Sequence, residues 1–324
     1  MSELKVGVIG YGYIAKIHMA ILKIFPDVKV TSVFSRSEKK VRGYRKVTFY
    51  KDYIEMLEKE KMDIAMITTP THTHQEIACA CAEKGIDIFL EKPMARTVEE
   101  CDTIIDSMKE NNVKLFVGHS LRFWQNYASV ENYLKSNKSK IGEIQSISSK
   151  RLSTFPWSKW FADQNKSGGV ILDLSIHDID YVLWLLGIPI SVSCEASKIN
   201  RYEMDLYGES ITKLKYQNAN AECEASWAKP EDYELLMKTR VIGSTGVIEF
   251  DEETISNKEE LQIENIYKSD NAYYNQLEHF FDIIADRKKD FLISPNEAKE
   301  AVKVCLAANR SAENQGKEIY LEDF

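Results

Sequence analysis

Residues Val6-Gly7-Val8-Ile9-Gly10-Tyr11-Gly12-Tyr13-Ile14-Ala15 carry an apolar segment directly into the pattern G-x-G-x-x-A. The apolar run fits a buried strand, and the glycines fall where a strand gives way to a helix. Gly10 permits the tight turn, and Gly12 lets the backbone approach a pyrophosphate closely. Ala15 keeps the helix near the sheet, while the free N–H groups and positive dipole end of its first turn face the anion. Such triplets also occur in ordinary loops. The placement after a strand and before a helix is what points to a dinucleotide site, with Tyr13 and Ile14 of the first turn beside the cofactor.

Short apolar runs alternate with amphipathic ones through residue 118. Strands are expected at 5–9, 28–35, 64–68, 86–90 and 114–118, and helices at 14–24, 37–44, 53–60, 74–84 and 98–111. Strands alternating with helices imply βαβ units and a parallel, doubly wound sheet. Beyond Arg122 the pattern changes. Helices are expected at 125–135 and from Asp173 to Leu186, then consecutive β-like runs at 191–198, 210–216, 221–227, 235–242 and 247–250. Gln217-Asn218-Ala219-Asn220 and Gly243-Ser244-Thr245-Gly246 read as hairpin turns, and helices at 273–287 and 295–315 close the chain. The expected architecture is α/β: a Rossmann domain over residues 1–120, then an α+β domain over 121–324 on a large, mainly antiparallel open sheet.

Apolar residues make up 44% of the chain and charged residues 28%, values of a soluble globular protein. The net charge of −8 argues against a nucleic-acid partner. The segment from Met1 to Lys5 has no hydrophobic signal, and the longest apolar run, Tyr181 to Ile190, is broken by Gly187 and Pro189 and is too short to span a bilayer. A cytoplasmic location without membrane association is expected. The cysteines at 79, 81, 101, 194, 223 and 305 form no disulfide framework, and Cys79-x-Cys81 lacks zinc or redox spacing. Reduced, mostly buried thiols and no metal are expected.

Four segments carry chemistry. Where an NAD site places a carboxylate, about 20 residues past the glycines, this chain has Ser35-Arg36, followed by Lys39, Lys40, Arg42, Arg45 and Lys46. A hydroxyl followed by a guanidinium suits a 2′-phosphate, so NADP is favoured and NAD stays possible. Thr69-Pro70-Thr71-His72-Thr73-His74 follows a strand and falls where a parallel sheet binds ligands. In Glu91-Lys92-Pro93, Lys92 sits at a strand's carboxyl end, either as an ordinary surface lysine or holding a substrate hydroxyl. Asp173 and His177 lie one helical turn apart. His177 is either a satisfied, partly buried histidine or a general base near neutral pH. The aromatic stretch from Phe155 to Phe161, with Trp160, could line a sugar pocket or form an interface or core patch.

Taken together, these residues resemble the glucose–fructose oxidoreductase/inositol dehydrogenase (Gfo/Idh/MocA) family nearly end to end. The resemblance rests on Gly10-x-Gly12-x-x-Ala15 with His18, Thr69-Pro70 with His74, Glu91-Lys92-Pro93, and Gly168-Gly169 with Asp173-x-x-x-His177. Gln276, Phe280 and Ser294-Pro295-x-Glu297-Ala298 are similar to later family patterns. It implies a hydride transfer between nicotinamide C4 and a carbinol carbon of a sugar, cyclitol or sugar nucleotide. It further implies that Lys92 bonds the reacting hydroxyl, His177 takes its proton, Asp173 holds the sugar, and Glu91, Pro70, Thr69 and His74 lie at the cofactor. Arg122, in Gly118-His119-x-x-Arg122-Phe123, is an expected substrate contact with Trp160. The resemblance implies a homo-oligomer, dimer or tetramer, formed through the second sheet. Two other readings stay open: a non-catalytic NAD(P)-binding regulator, and a redox-neutral glycoside-processing enzyme that recycles NAD. Thr71 and Trp124 stand where the family often has asparagine, so no particular sugar follows.

Overall fold

The computed structural model describes residues 3–37, 43, 44 and 46–324. In chain order the elements are β1 (Leu4–Ile9), α1 (Tyr13–Leu22), β2 (Val28–Phe34), β3 (Thr48–Tyr50), α2 (Tyr53–Lys59), β4 (Ile64–Ile67), α3 (His74–Ala82), β5 (Asp87–Glu91), α4 (Val98–Glu110) and β6 (Leu115–Gly118). There follow α5 (Gln125–Lys135), β7 (Ile144–Thr154), α6 (Gln164–Ser167), α7 (Ile176–Leu186), β8 (Ser191–Arg201), β9 (Met204–Lys215), β10 (Asn220–Lys229), β11 (Leu236–Gly243) and β12 (Val247–Phe250). The chain closes with α8 (Lys258–Leu261), α9 (Ala272–Ile284), α10 (Pro295–Glu313) and β13 (Ile319–Tyr320).

It divides into two compact units, residues 1–118 with 273–299 and residues 119–272 with 300–324. In the first, six parallel strands take the order β3-β2-β1-β4-β5-β6. Val6, Val8 and Ile9 of β1 and all four residues of β4 are buried. Such continuous apolar strands need cover on both faces, as a doubly wound sheet provides. The edge strand β3 has three residues and no apolar run to announce it. Most of the helix expected at 37–44 lies outside the described residues.

The split expected at residue 120 needs one correction. Residues 273–299 belong to the first unit. Phe280 of α9 packs against Phe89 and Phe116, with ring centroids 5.6 and 5.8 Å apart, and Phe281 packs against Phe25 at 5.1 Å. Burying those rings outweighs sequence proximity.

The second unit carries a seven-stranded sheet of order β12-β11-β7-β10-β9-β8-β13, antiparallel except for the β7/β10 pair. Both expected hairpin turns are present, closed by Tyr216 N to Ala219 O at 3.0 Å and Gly243 N to Gly246 O at 2.9 Å. The interior strand β7 is not among the strands the sequence predicts. Its inward positions include Ser149 and Arg151, which erase the apolar alternation. Ser149 bonds Thr239 at 3.1 Å, and Arg151 Nε donates to Asp178 at 2.7 Å. No described helix is long and apolar enough to cross a membrane. All six cysteines are free and five are buried, and burial raises Cys81 and Cys101 to about 12.

Candidate functional site

In the first unit the site is built where β1 gives way to α1. Gly10 has φ +101°, and a Cβ there would lie 2.9 Å from the Thr68 carbonyl. Only glycine accepts both that dihedral and that approach. The two loops are then tied together: Gly10 N donates to Phe34 O at 3.0 Å, and Thr68 Oγ1 donates to Gly10 O at 2.8 Å. Gly12 caps α1 without any side-chain bond to the helix's N–H groups, and no acidic residue occupies the first turn. A Cβ on Gly12 would meet nothing within 4 Å. Open space before uncapped N–H groups is what an incoming pyrophosphate needs, so these residues fit a dinucleotide. Ala15 is fully buried, Ile14 half-buried and Tyr13 exposed.

Ser35, just past β2, is buried and its N–H donates to Tyr50 O at 3.1 Å, while Arg36 is exposed beside it. Lys46 is exposed; Lys39, Lys40, Arg42 and Arg45 lie outside the described residues. After β4, Thr69 and Pro70 are half-buried, and Thr73 Oγ1 lies 2.8 Å from both Thr69 Oγ1 and Pro70 O.

The structure corrects the cofactor contact expected of His74. It is 1% exposed, with Nδ1 2.9 Å from Pro93 O and Nε2 2.9 Å from Thr69 O. The ring ties the loop after β4 to the loop after β5, leaving no surface for a ligand. Burial pulls its pKa below the ordinary range, although the two carbonyls oppose that.

Glu91 ends β5 and Lys92 follows, joined to Pro93 by a cis peptide. Glu91 is buried, and Lys92 is half-buried at the carboxyl end of the sheet, where parallel sheets bind their ligands. Glu91 Oε1 lies 2.6 Å from His18 Nε2, and Oε2 accepts the Lys92 N–H at 3.3 Å.

The second unit carries its own cluster. The left-handed residue Gly168 ends α6, and Gly169 also has positive φ. The chain then enters a π turn, Ile171–Ser175, that carries Asp173, before α7 presents His177 in its first turn. The helix expected from Asp173 to Leu186 is present, opening on this π turn, whose i→i+5 bonding adds a bulge of a kind common at functional sites. Asp173 is 9% exposed and His177 is half-buried.

Two buried ion pairs hold α7. Arg122 donates Nε to Asp180 Oδ2 at 3.0 Å and Nη2 to Oδ1 at 2.8 Å; Arg151 forms the corresponding pair with Asp178 at 2.7 and 3.3 Å. Arg122, expected at the substrate, is 1% exposed and also sits over the Trp184 ring at 5.4 Å. Its guanidinium fixes α7 and does not meet a ligand. Arg151 went unrecognised in sequence, because an inward arginine on a serine-rich strand looks like a solvated one. Trp160 is half-buried against Phe161, their centroids 3.9 Å apart, while Trp157 stands almost fully exposed. Among the described residues no group of three His, Cys, Asp or Glu side chains could hold a metal.

Residues 4–119 match a family described as an oxidoreductase family with an NAD-binding Rossmann fold, and residues 136–249 match the GFO/IDH/MocA C-terminal domain. The myo-inositol 2-dehydrogenase of Thermotoga maritima is 29% identical over 190 residues, 57% of this chain and 55% of that protein, so the match spans about half of that relative. The scyllo-inositol 2-dehydrogenase (NAD(+)) of Bacillus subtilis is 28% identical over 332 residues, covering 96% of this chain and 95% of its own. Among solved structures, GenD2 from gentamicin A biosynthesis, in complex with NAD, shares the fold with a TM-score of 0.83 at 20% identity, covering 99% of this chain and 97% of its own.

Proposed function

Since the chain belongs to the Gfo/Idh/MocA family of oxidoreductases, we propose that it is an NAD(P)-dependent dehydrogenase acting on a secondary alcohol or ketone carbon of a cyclitol, sugar or sugar nucleotide. The observation that carries this reading is that one chain combines the open Gly12 cradle with Lys92, Asp173 and His177. A regulator that only binds the nucleotide has no use for the last three. When bound, the nicotinamide supplies the acceptor or donor of the hydride. Lys92 hydrogen-bonds the reacting oxygen and offsets the negative charge that develops there during oxidation. His177 takes the hydroxyl proton and returns it in the reverse direction. Asp173 binds a neighbouring hydroxyl, with Trp160 offering a flat apolar face to the ring. Glu91, Thr69 and Pro70 lie along the nicotinamide ribose, and the N–H groups at Gly12, Tyr13 and Ile14 hold the pyrophosphate.

We infer NADP as the preferred cofactor, because Ser35 and Arg36 stand at the end of β2 where a carboxylate would repel a 2′-phosphate. A charge-assisted, bidentate contact of this kind corresponds to roughly 10–100-fold in affinity. Arg36→Glu is therefore expected to raise the NADPH dissociation constant by about that factor while NADH binding holds or tightens. Tryptophan-quenching titrations with both nucleotides check it. An unchanged preference would remove Arg36 as the selector, and binding of neither nucleotide by the wild type would overturn the functional reading.

The resemblance also supports a homo-oligomer through the outer face of the second sheet. That face is already ordered by cross-strand pairs such as Lys150–Glu224 at 2.7 Å and Lys238–Glu249 at 3.1 Å.

A further inference from the structure

We propose that His18 is a positioning residue: it holds the Glu91 carboxylate in the orientation that carries the backbone N–H of Lys92, and so sets where that lysine starts. The proposal rests on the reading of Lys92 as the substrate lysine. His18 lies midway along α1, the helix whose N-terminus faces the cofactor, and it is 0% exposed. Its ring is wedged edge-on by Phe89 and Tyr273, with centroids at 5.1 and 5.6 Å, so rotation is blocked from two sides. In that orientation Nε2 lies 2.6 Å from Glu91 Oε1, a charge-assisted distance. The other carboxylate oxygen accepts the Lys92 N–H at 3.3 Å.

Gly118, at the end of β6, borders the carboxylate: a Cβ there would stand 3.4 Å from Oε1, in ordinary contact with it. A buried carboxylate without a donor is costly, and His18 is the side chain that supplies one. A residue serving only as core filler would be apolar here, as its neighbours Met19, Leu22 and Phe89 are. The same bond links the cofactor-binding helix to the strand end that carries Lys92, so one histidine fixes two parts of the site relative to each other.

The test compares His18→Leu, which removes the donor, with His18→Gln, whose amide can donate from nearly the same place. The first readout is hydrogen exchange at the Lys92 amide, which needs no substrate. The second is kcat against KM with myo-inositol, scyllo-inositol and UDP-sugars as probes. His18→Leu is expected to speed Lys92 exchange about tenfold or more and to lower kcat by on the order of 10²-fold, with KM less affected. His18→Gln should restore most of both. A merely structural histidine predicts general destabilisation that glutamine does not selectively repair. Wild-type exchange at Lys92 in His18→Leu, or equal damage in both variants, overturns the proposal. If His18→Leu does not fold, His18→Phe decides: it keeps a ring between Phe89 and Tyr273 and removes the donor, so Lys92 exchange must rise, and no rise overturns the proposal. Absence of turnover by the wild type on every probe would count against the dehydrogenase reading, while the exchange data would still decide the role of His18.

Discussion

Replacing His177 by alanine is expected to lower kcat about 10²–10⁴-fold while leaving NADPH binding nearly unchanged. Oxidation of a carbinol releases a hydride and a proton, and the proton needs an acceptor while the C–H bond breaks. His177 is half-buried at the start of α7, one turn from Asp173, and imidazole titrates near neutral pH. It belongs to the second unit, whereas the Gly10–Ala15 turn belongs to the first, so removing the imidazole leaves the residues proposed to hold the nucleotide intact. Lys92→Met should also lower kcat strongly, because methionine keeps the stem and loses the charge next to the reacting oxygen. Unchanged turnover in His177→Ala, measured at 340 nm under saturating substrate, would remove His177 from its role.

Arg122→Met should destabilise the protein by about 3–5 kcal/mol, the cost of stranding a buried charge. Its partner Asp180 is fully buried and receives two guanidinium bonds, at 3.0 and 2.8 Å. Once the arginine is gone, that carboxylate must take up a proton or rely on His119, whose Nδ1 lies 3.6 Å from Oδ2, and either costs stability. The double variant Arg122→Met/Asp180→Leu removes both charges, fills similar volume, and should recover most of the loss. Urea unfolding of the three proteins separates these outcomes. A loss below about 1 kcal/mol in the single variant would put the pair no higher than a surface ion pair. The result also bears on function, because Asp180 and His177 share the first turns of α7.

Where apolar periodicity and turn chemistry agreed, the sequence was readable almost to the residue. Helix α5 and strand β12 fall where expected, and both hairpin turns close as their Asn, Gly and Ser residues suggest. The cofactor turn was legible because only glycine tolerates the conformation at residue 10 and the approach of Thr68. Most of what stayed hidden is a side chain whose partner lies elsewhere in the chain. Strand β7 was missed because Ser149 and Arg151 face inward and are satisfied by Thr239 and Asp178, 90 and 27 residues away. Arg122 suggested a ligand contact until Asp180, 58 residues on, supplied its partner. His74 looked like a cofactor residue, yet both its nitrogens are taken by backbone carbonyls. Helix α9 reads as part of the second domain until its phenylalanines are seen against Phe89 and Phe116. Periodicity marks which positions are buried, but it does not reveal what a buried polar group will meet.

The measurement that tests the central claim most directly is absorbance at 340 nm with the purified protein, NADP+ or NAD+, and a panel of myo-inositol, scyllo-inositol, free sugars and UDP-sugars. The account predicts a rise in absorbance with one polyhydroxylated class, faster with NADP+, and lost in His177→Ala. Tight nucleotide binding with product formation but no net change in absorbance would contradict it and indicate a redox-neutral reaction. No turnover on any member of the panel, in either direction, would contradict the assignment as a dehydrogenase of these substrates.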